Sequence, residues 1–506
     1  MRNHGTGSWP LRRARLSPDK TAVVFDGGST TYRELDGRVT ALAHGLRELG
    51  VQRGDRVALL SANHPAYLEV LFACGLLGAT FVPLNARLTA GEVEYVLQDC
   101  GASVLIHSAE LAGIAVPAAH RTKPVHRVVL GDTNDAGAVG YEDLIARSGT
   151  DRIDEPVGHD DPCFIMYTSG TTGRPKGVVL THGNIVFAVL NAVLDLDLRS
   201  DEVALVYAPL FHTAALDMIA LPTLLTGGQV IIERGFDAAH VLDRMERERV
   251  TYAFAVPTML DRICAHPRWP HADLSALRRI LVGAAPVPPG TLRVYTERGI
   301  TMCQGYGLTE AGPGTLVLTA EHAERKLGTA GVPHFFTDVR IVDPDNRPVR
   351  TGERGEIQIS GPNLMREYWN NPAATAAAFT ADGWFRSGDI GVADDEGFVR
   401  IVDRLKDMII SGGENIYPAE VEAAIVEMPE IDDCAVFAVP DEKWGEVGCA
   451  AVVPVAGSTV DLDRLVEFLT PRLAGYKIPK SLVVLDEIPR NATGKIRKDE
   501  LRRRFA

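Results

Sequence analysis

The chain has 506 residues, a length that predicts about three structural units and a large buried core. Its 52 Lys and Arg against 66 Asp and Glu give a net charge of −14, and an acidic surface of this size repels a phosphate backbone, which argues against nucleic acid as a partner. The seven cysteines lie far apart, are odd in number and form no C-x-x-C pair, so they read as reduced thiols and point to the cytoplasm.

In chain order, the first twenty residues carry Arg2, Arg12, Arg13 and Arg15 but no apolar region follows, so no secretory signal is expected. The same arginines leave room for weak peripheral contact with a membrane. Leu35, Val39, Leu42, Leu46 and Leu49 then fall at helical spacing between a capping box, Thr31 with Glu34, and a stop at Gly50. A strand over 56–61 follows, and strand-like runs recur at 103–107, 164–168, 229–233 and 279–282, the grammar of stacked βα layers. The longest apolar stretch, 203–232, contains His212, Asp217, Pro222, Gly227 and Gly228, so it reads as buried core and pocket wall rather than a membrane helix. From Asp403-Arg404-Leu405-Lys406-Asp407 onward the pattern changes to short strands (434–439, 449–455, 482–485) and a helix (461–469), which predicts a separate small α+β unit of about 100 residues. No long Pro/Ser linker precedes it, so any movement must pivot on one or two backbone positions.

Four segments carry chemistry. In Tyr167-Thr168-Ser169-Gly170-Thr171-Thr172-Gly173-Arg174-Pro175-Lys176 an apolar strand opens into small residues and then a cation. Glycines let backbone N–H groups close on phosphate oxygens, the hydroxyls add donors, and Lys176 supplies compensating charge. Pro175 stands where a Walker A loop needs glycine, which excludes that motif. In Gln304-Gly305-Tyr306-Gly307-Leu308-Thr309-Glu310 two glycines bracket a ring suited to a base, and the closing carboxylate suits a Mg²⁺ ion that keeps most of its ligands on nucleotide and water. Asp389, at the end of Trp384-Phe385-Arg386-Ser387-Gly388-Asp389, could accept both hydroxyls of a ribose or simply cap a turn; Arg404 follows fifteen residues later. Lys495, in Asn491-Ala492-Thr493-Gly494-Lys495, sits on a short loop before a basic tail with Lys498, Arg502, Arg503 and Arg504, which alone reads equally as a solubilising end.

Taken together, these segments in this order across essentially the whole chain resemble the adenylate-forming superfamily of acyl-CoA synthetases, luciferases and adenylation domains. The resemblance implies an α/β fold: a large N-terminal domain, 1–404, of two βα-layered subdomains plus a β-barrel, and a small mobile α+β C-terminal domain, 405–506. By matching positions, Thr168, Ser169, Gly170, Thr171, Thr172, Gly173 and Lys176 look like the phosphate-binding loop. Gly283, Ala284, Ala285 and Pro286 with Gln304, Gly305, Tyr306 and Gly307 resemble the adenine-binding stretches, Thr309 the residue near the α-phosphate, and Glu310 the Mg²⁺ ligand. Asp389 and Arg404 match the ribose pair, Lys406 the hinge, Lys495 the lysine of the first half-reaction, and Gly412 and Gly413 the face that lines the pantetheine tunnel. His212 matches the gate of the acid pocket.

The activity so implied is that of an acyl-CoA synthetase, an enzyme that forms an acyl-adenylate from ATP and a carboxylic acid, with Mg²⁺, and passes the acyl group to coenzyme A. The N-terminal pattern and Thr309-Glu310-Ala311-Gly312-Pro313 are similar to hydroxycinnamate (ferulate, coumarate) ligases. The stretches 405–422 and 441–446 are similar to bacterial medium- and long-chain fatty-acyl ligases. A small wall at Ala214 leaves room for a bulky or long tail, whereas Asp217 beside Met218 departs from a fatty pocket: a carboxylate there must point away or pair with a phenol. A free-standing enzyme loading a carrier protein would share every nucleotide residue and is the alternative; a homodimer is compatible with either.

Overall fold

The computed structural model describes the chain apart from residues 1, 123–125, 133–136, 169–174, 284–286, 412–413, 474, 492–493 and 506, and describes only the backbone at 406, 414 and 415. Ser169, Gly170, Thr171, Thr172, Gly173, Ala284, Ala285, Pro286, Gly412 and Gly413 therefore lie outside the described residues, as does the side chain of Lys406.

The described residues form two compact units, 1–339 with 359–385, and 340–358 with 386–506. The first holds two large sheets. One runs, strand by strand, Val332–Pro333, Leu316–Leu318, Thr301–Tyr306, Arg279–Val282, Tyr252–Ala255, Val203–Val206, Gln229–Ile232, Thr21–Phe25 and Gly28–Thr31. The other runs Glu367–Tyr368, Lys176–Thr181, Pro162–Thr168, Thr80–Leu84, Arg56–Leu60, Val104–Ser108, His126–Leu130 and Ala138–Gly140. In each the central strands pair in parallel and are largely buried, as expected of strands covered on both faces by crossover helices. The α/β reading holds, and the strands predicted in this unit match to within two residues at either end, whereas the two predicted at 434–439 and 449–455 begin three and four residues earlier.

The predicted helix spans Tyr32–Glu48, and both halves of its capping box form: Thr31 Oγ1 accepts the Glu34 N–H, and Glu34 reaches back to the Thr31 N–H at 2.7 Å. Before it, the N-terminal segment is drawn onto the helix Ala66–Leu77. Gly7 lies so close to Gly75 that a Cβ on either would collide with the other's backbone, and Asn3 Nδ2 donates to the Gly75 carbonyl at 2.9 Å. Two of the early arginines are used internally: Arg12 Nε donates to Ser8 Oγ at 3.0 Å and Arg13 Nε to the Leu225 carbonyl at 2.7 Å. No helix among the described residues is long and apolar enough to cross a membrane.

The second unit contains a four-stranded sheet, in the order Asp338–Val342, Gly355–Ser360, Phe385–Ala393 and Val399–Arg404, in the place where a β-barrel was expected. It also contains a sheet built on the long hairpin Ile431–Asp441 and Gly445–Pro454, with Ser481–Val484 alongside in parallel. The helix Leu462–Leu469, capped by Asp461, packs its apolar stripe on that sheet. The basic tail is the helix Lys498–Phe505 rather than a loose end, because Lys498 pairs with Glu422 and Arg502 with Asp407, both at 2.8 Å.

The apolar stretch after Val203 folds as foreseen into core, with one irregularity: residues Leu216–Ala220 make a π-helical turn. Asp217 in that turn is completely buried, and neither carboxyl oxygen has a hydrogen-bond partner among the described residues. Burial alone pushes its carboxyl well above the usual range, so the neutral acid is the folded form. The folded protein then keeps a proton that the unfolded chain releases above about pH 3.8. Stability from this group is therefore full below that pH and declines as pH rises toward the folded value, by up to about 1.4 kcal/mol per pH unit. Asp217→Asn should be more stable relative to wild type at pH 7.5 than at pH 5; urea unfolding at the two pH values measures this, and a difference independent of pH would contradict the neutral assignment.

Candidate functional site

In the first unit the site is organised by one hairpin. Strand Pro162–Thr168 pairs antiparallel with Lys176–Thr181 in a register that sets Thr168 directly across from Lys176, so both flank the mouth of the intervening loop. The hairpin is braced from the helix Ala90–Cys100: Tyr167 Oη donates to Asp99 Oδ2 at 2.5 Å, and Tyr95 Oη donates to the Pro175 carbonyl at 3.1 Å.

The outer edge of strand Lys176–Thr181 is taken by Glu367–Tyr368, with Tyr368 opposite Val178. That pairing brings the Tyr368 ring to 5.0 Å from Lys176 Nζ, while its hydroxyl donates to Glu310 Oε1 at 2.9 Å. A cation, a ring and a carboxylate are thus joined in one chain of contacts. Burial first, and then the Glu310 charge and hydrogen bond, push the Tyr368 hydroxyl far up, so it remains a donor at any ordinary pH. The main chain of Glu310 is fixed as well, its carbonyl accepting the Met365 N–H at 2.7 Å.

Gln304, Gly305 and Tyr306 end the strand Thr301–Tyr306, which lies beside Arg279–Val282; a Cβ on Gly283 would come within 3.2 Å of the Gly305 carbonyl oxygen. Gly283 and Gly305, one from each expected base-facing stretch, therefore meet backbone to backbone where both strands end. Gly307 must be glycine, because a Cβ there would lie 2.1 Å from the Pro313 carbonyl oxygen; the excursion it begins carries Thr309 and Glu310 on a single 3₁₀ turn.

His212 stands at the N-cap position of the short helix Thr213–Ala215 on a different loop, without a side-chain capping bond, its ring 4.6 Å from that of Phe211. That loop is pinned by a residue the sequence reading passed over. Asn63, 3% exposed, donates through Nδ2 to the carbonyls of Ala208 and Glu233 and accepts the Leu210 N–H at 2.8 Å. Tyr368 was likewise missed; its only signal is an aromatic pair, Tyr368-Trp369, following the charged Arg366-Glu367.

In the second unit Asp389 and Arg404 stand directly opposite each other on adjacent antiparallel strands, Arg404 Nε 3.4 Å from Asp389 Oδ1. Asp389 is 7% exposed, and its backbone is set by Ser387, whose Oγ accepts the Asp389 N–H at 3.0 Å and donates to the Ile357 carbonyl at 2.6 Å. Lys406 falls in the one-turn helix Leu405–Asp407. The carboxylate of Asp403, just before it, accepts the N–H groups of Arg404 and of Ala419 at the head of helix Pro418–Ile425. Lys495 is exposed on a tight loop closed by Asn491, whose Oδ1 accepts the Lys495 N–H at 3.0 Å and whose own N–H donates to the Lys495 carbonyl.

Chemically, the first unit presents an ammonium and a carboxylate separated by a phenol; the second holds a carboxylate–guanidinium pair and, on a separate loop, an exposed lysine. No group of three or more His, Cys, Asp or Glu side chains among the described residues could hold a metal. A divalent cation at Glu310 would thus have to bring most of its ligands with it, as Mg²⁺ does on nucleotide phosphates. The donor set fits that arrangement.

A family profile described as AMP-binding enzyme matches residues 11–369, and one described as AMP-binding enzyme C-terminal domain matches residues 420–495. A feruloyl-CoA synthase of Amycolatopsis is 55% identical over 506 residues, covering 100% of both chains. The long-chain-fatty-acid–CoA ligase FadD13 of Mycobacterium tuberculosis is 40% identical, covering 100% of this chain and 99% of its own. The O-succinylbenzoate coenzyme A synthetase of Bacillus subtilis, solved with ATP and magnesium ion, superposes with a TM-score of 0.87 at 33% identity, covering 98% of this chain and 99% of that one. On the strength of both profiles and of relatives matched from end to end, the chain belongs to the family of AMP-binding enzymes.

Proposed function

We propose that this enzyme is an AMP-forming acid–CoA ligase whose substrate is a hydroxycinnamate of the ferulate type. The observation that carries the nucleotide half is the contact chain Lys176, Tyr368, Glu310, which puts positive charge and a hard oxygen donor side by side in a protein of the AMP-binding family. The 55% identity to a feruloyl-CoA synthase over the full chain supports the acid. The 40% identity to a long-chain-fatty-acid–CoA ligase supports a second reading in which the acid is a fatty acid.

In the first half-reaction a carboxylate oxygen of the acid attacks the α-phosphorus of ATP, and the bond to pyrophosphate breaks. Two anions must meet, so the reaction depends on positive charge placed before the encounter. We assign that charge to Lys176, on the phosphate-facing loop with Thr168, and to Lys495; Thr309 is assigned to the α-phosphate and His212 to the mouth of the acid pocket. Glu310 would hold Mg²⁺ through one carboxylate oxygen while Tyr368 holds the other. When bound, the ion neutralises phosphate charge and orients the leaving pyrophosphate. Asp389 and Arg404 are assigned to the ribose, where the carboxylate accepts its hydroxyls.

In the second half-reaction the CoA sulfur attacks the acyl carbonyl, loses its proton, and AMP leaves with the carboxyl oxygen. No nucleophilic side chain is required. We assign Lys406 as the pivot between the two half-reactions and the turn at Gly412 and Gly413 to the thiol-facing side, with 1–404 and 405–506 as the parts that move. Asp403, hydrogen-bonded to the head of the helix beyond Lys406, is the contact expected to steady one end state. The seven cysteines are free, which suits a reducing compartment.

Two substitutions separate these roles. Tyr368→Phe keeps the ring under Lys176 but removes the hydroxyl on Glu310, and should raise the Mg²⁺ concentration for half-maximal pyrophosphate release about tenfold. An unchanged Mg²⁺ dependence would remove the metal assignment from Glu310. Lys495→Ala should slow adenylate formation by about 10²-fold or more while largely sparing transfer from supplied acyl-AMP to CoA. Equal loss in the two assays would refute a role confined to the first step.

A further inference from the structure

Asn63 follows the C-terminal end of strand Arg56–Leu60 in one large sheet of the first unit. Ala208 and Glu233 follow the C-terminal ends of Val203–Val206 and Gln229–Ile232, which run parallel in the other. Asn63 Nδ2 donates to the carbonyls of both, at 2.9 and 3.0 Å, and Oδ1 accepts the Leu210 N–H at 2.8 Å. One amide thereby ties together the ends of three strands from two sheets, on the side where open α/β sheets take their ligands. Both of its N–H donors are used, and at 3% exposure water has little access to compete for them.

The turn that presents this amide is itself fixed. Tyr67, completely buried, donates its hydroxyl to the Ser61 carbonyl at 2.8 Å, and His64 Nδ1 accepts the Ala66 N–H at 3.0 Å. The amide is therefore held on a rigid base rather than at the end of a loose loop.

Two of its three contacts grip the chain just before His212. Ala208 and Leu210 flank Pro209, whose carbonyl accepts the His212 N–H at 3.1 Å. The His212 carbonyl in turn accepts the Leu216 N–H at 3.2 Å, at the start of the π-helical turn. The histidine backbone is thus bound on one side to a turn that Asn63 clamps and on the other to the helix that follows.

We propose that Asn63 is the positioning residue of the acid gate: it holds residues 208–210 so that His212 stands at the mouth of the acid pocket. The inference rests on the assignment of His212 to that mouth. Asn63 acts through His212 and takes no part in the chemistry. Its side chain suits the task because it donates twice and accepts once in one plane. Aspartate has the same shape but, ionised, cannot donate and would set a charge against two carbonyl oxygens. Alanine would leave two carbonyls and one N–H without their partner.

The test is a double-mutant cycle on the full-length enzyme with ATP, Mg²⁺ and CoA, comparing wild type, Asn63→Ala, His212→Ala and the double variant. It is run with ferulate and with dodecanoate, because a gate acts at the carboxylate end that both acids share, and the acid that wild type turns over carries the comparison. Each single substitution should lower kcat/KM for the acid about tenfold or more, while Asn63→Ala leaves KM for ATP within about twofold. In the His212→Ala background, Asn63→Ala should cost less than about twofold more, since the group it positions is gone. A merely structural role would lower kcat/KM by the same factor in both backgrounds, and that additivity overturns the proposal while leaving the gate assignment intact. Should the alanine variant fold poorly, Asn63→Asp completes the same cycle. A His212→Ala enzyme that uses the acid as well as wild type overturns the gate assignment and the inference with it.

Discussion

The antiparallel register between Pro162–Thr168 and Lys176–Thr181 is the constraint on which the nucleotide-facing part of the molecule depends. It fixes the two ends of the Gly/Thr loop across from each other, and it leaves one strand edge for Glu367–Tyr368 to occupy. Because side chains alternate with a period of two, a slip of one residue in that pairing would turn Tyr368 to the opposite face. The ring would leave Lys176 and the hydroxyl would leave Glu310. Strand pairing thereby sets which groups meet a polyanion, although none of the pairing atoms takes part in chemistry.

The polar groups of the first unit divide into two kinds that burial keeps apart. Lys176 and Glu310 are partly exposed, which leaves both side chains open to a phosphate or a cation. Farther along the chain from His212, polarity is buried and sparse: a neutral carboxylic acid at Asp217 and an imidazole at His334 with one nitrogen open.

Much of this was legible in the chain. The capping box of Thr31 and Glu34 and the boundaries of Arg279–Val282 followed from local patterns, and the structure keeps them; the grouping of Asp389 with Arg404 came only from the family resemblance, and the two stand opposite each other on paired strands. Local patterns could not announce Tyr368, which meets Glu310 58 residues away only because a strand edge brings it there. Asn63, 145 residues from the loop it holds, and His334, 139 residues from Asp195, carry their signal in burial and long-range hydrogen bonding rather than in any motif. The change of sequence grammar near Asp403 marked where helices and hairpins of the last hundred or so residues begin. It could not reveal that strands Asp338–Val342 and Gly355–Ser360 join Phe385–Ala393 and Val399–Arg404 in one sheet, because sheet partnership is decided across the chain.

The most direct measurement is release of pyrophosphate and AMP from ATP by the full chain over ferulate, coumarate, benzoate and a series of fatty acids, each with and without CoA. An acid–CoA ligase of hydroxycinnamates will form the thioester and release AMP with ferulate and coumarate only when CoA is present. Pyrophosphate release that never responds to CoA would contradict that assignment and leave an enzyme that hands its acyl group to a different thiol.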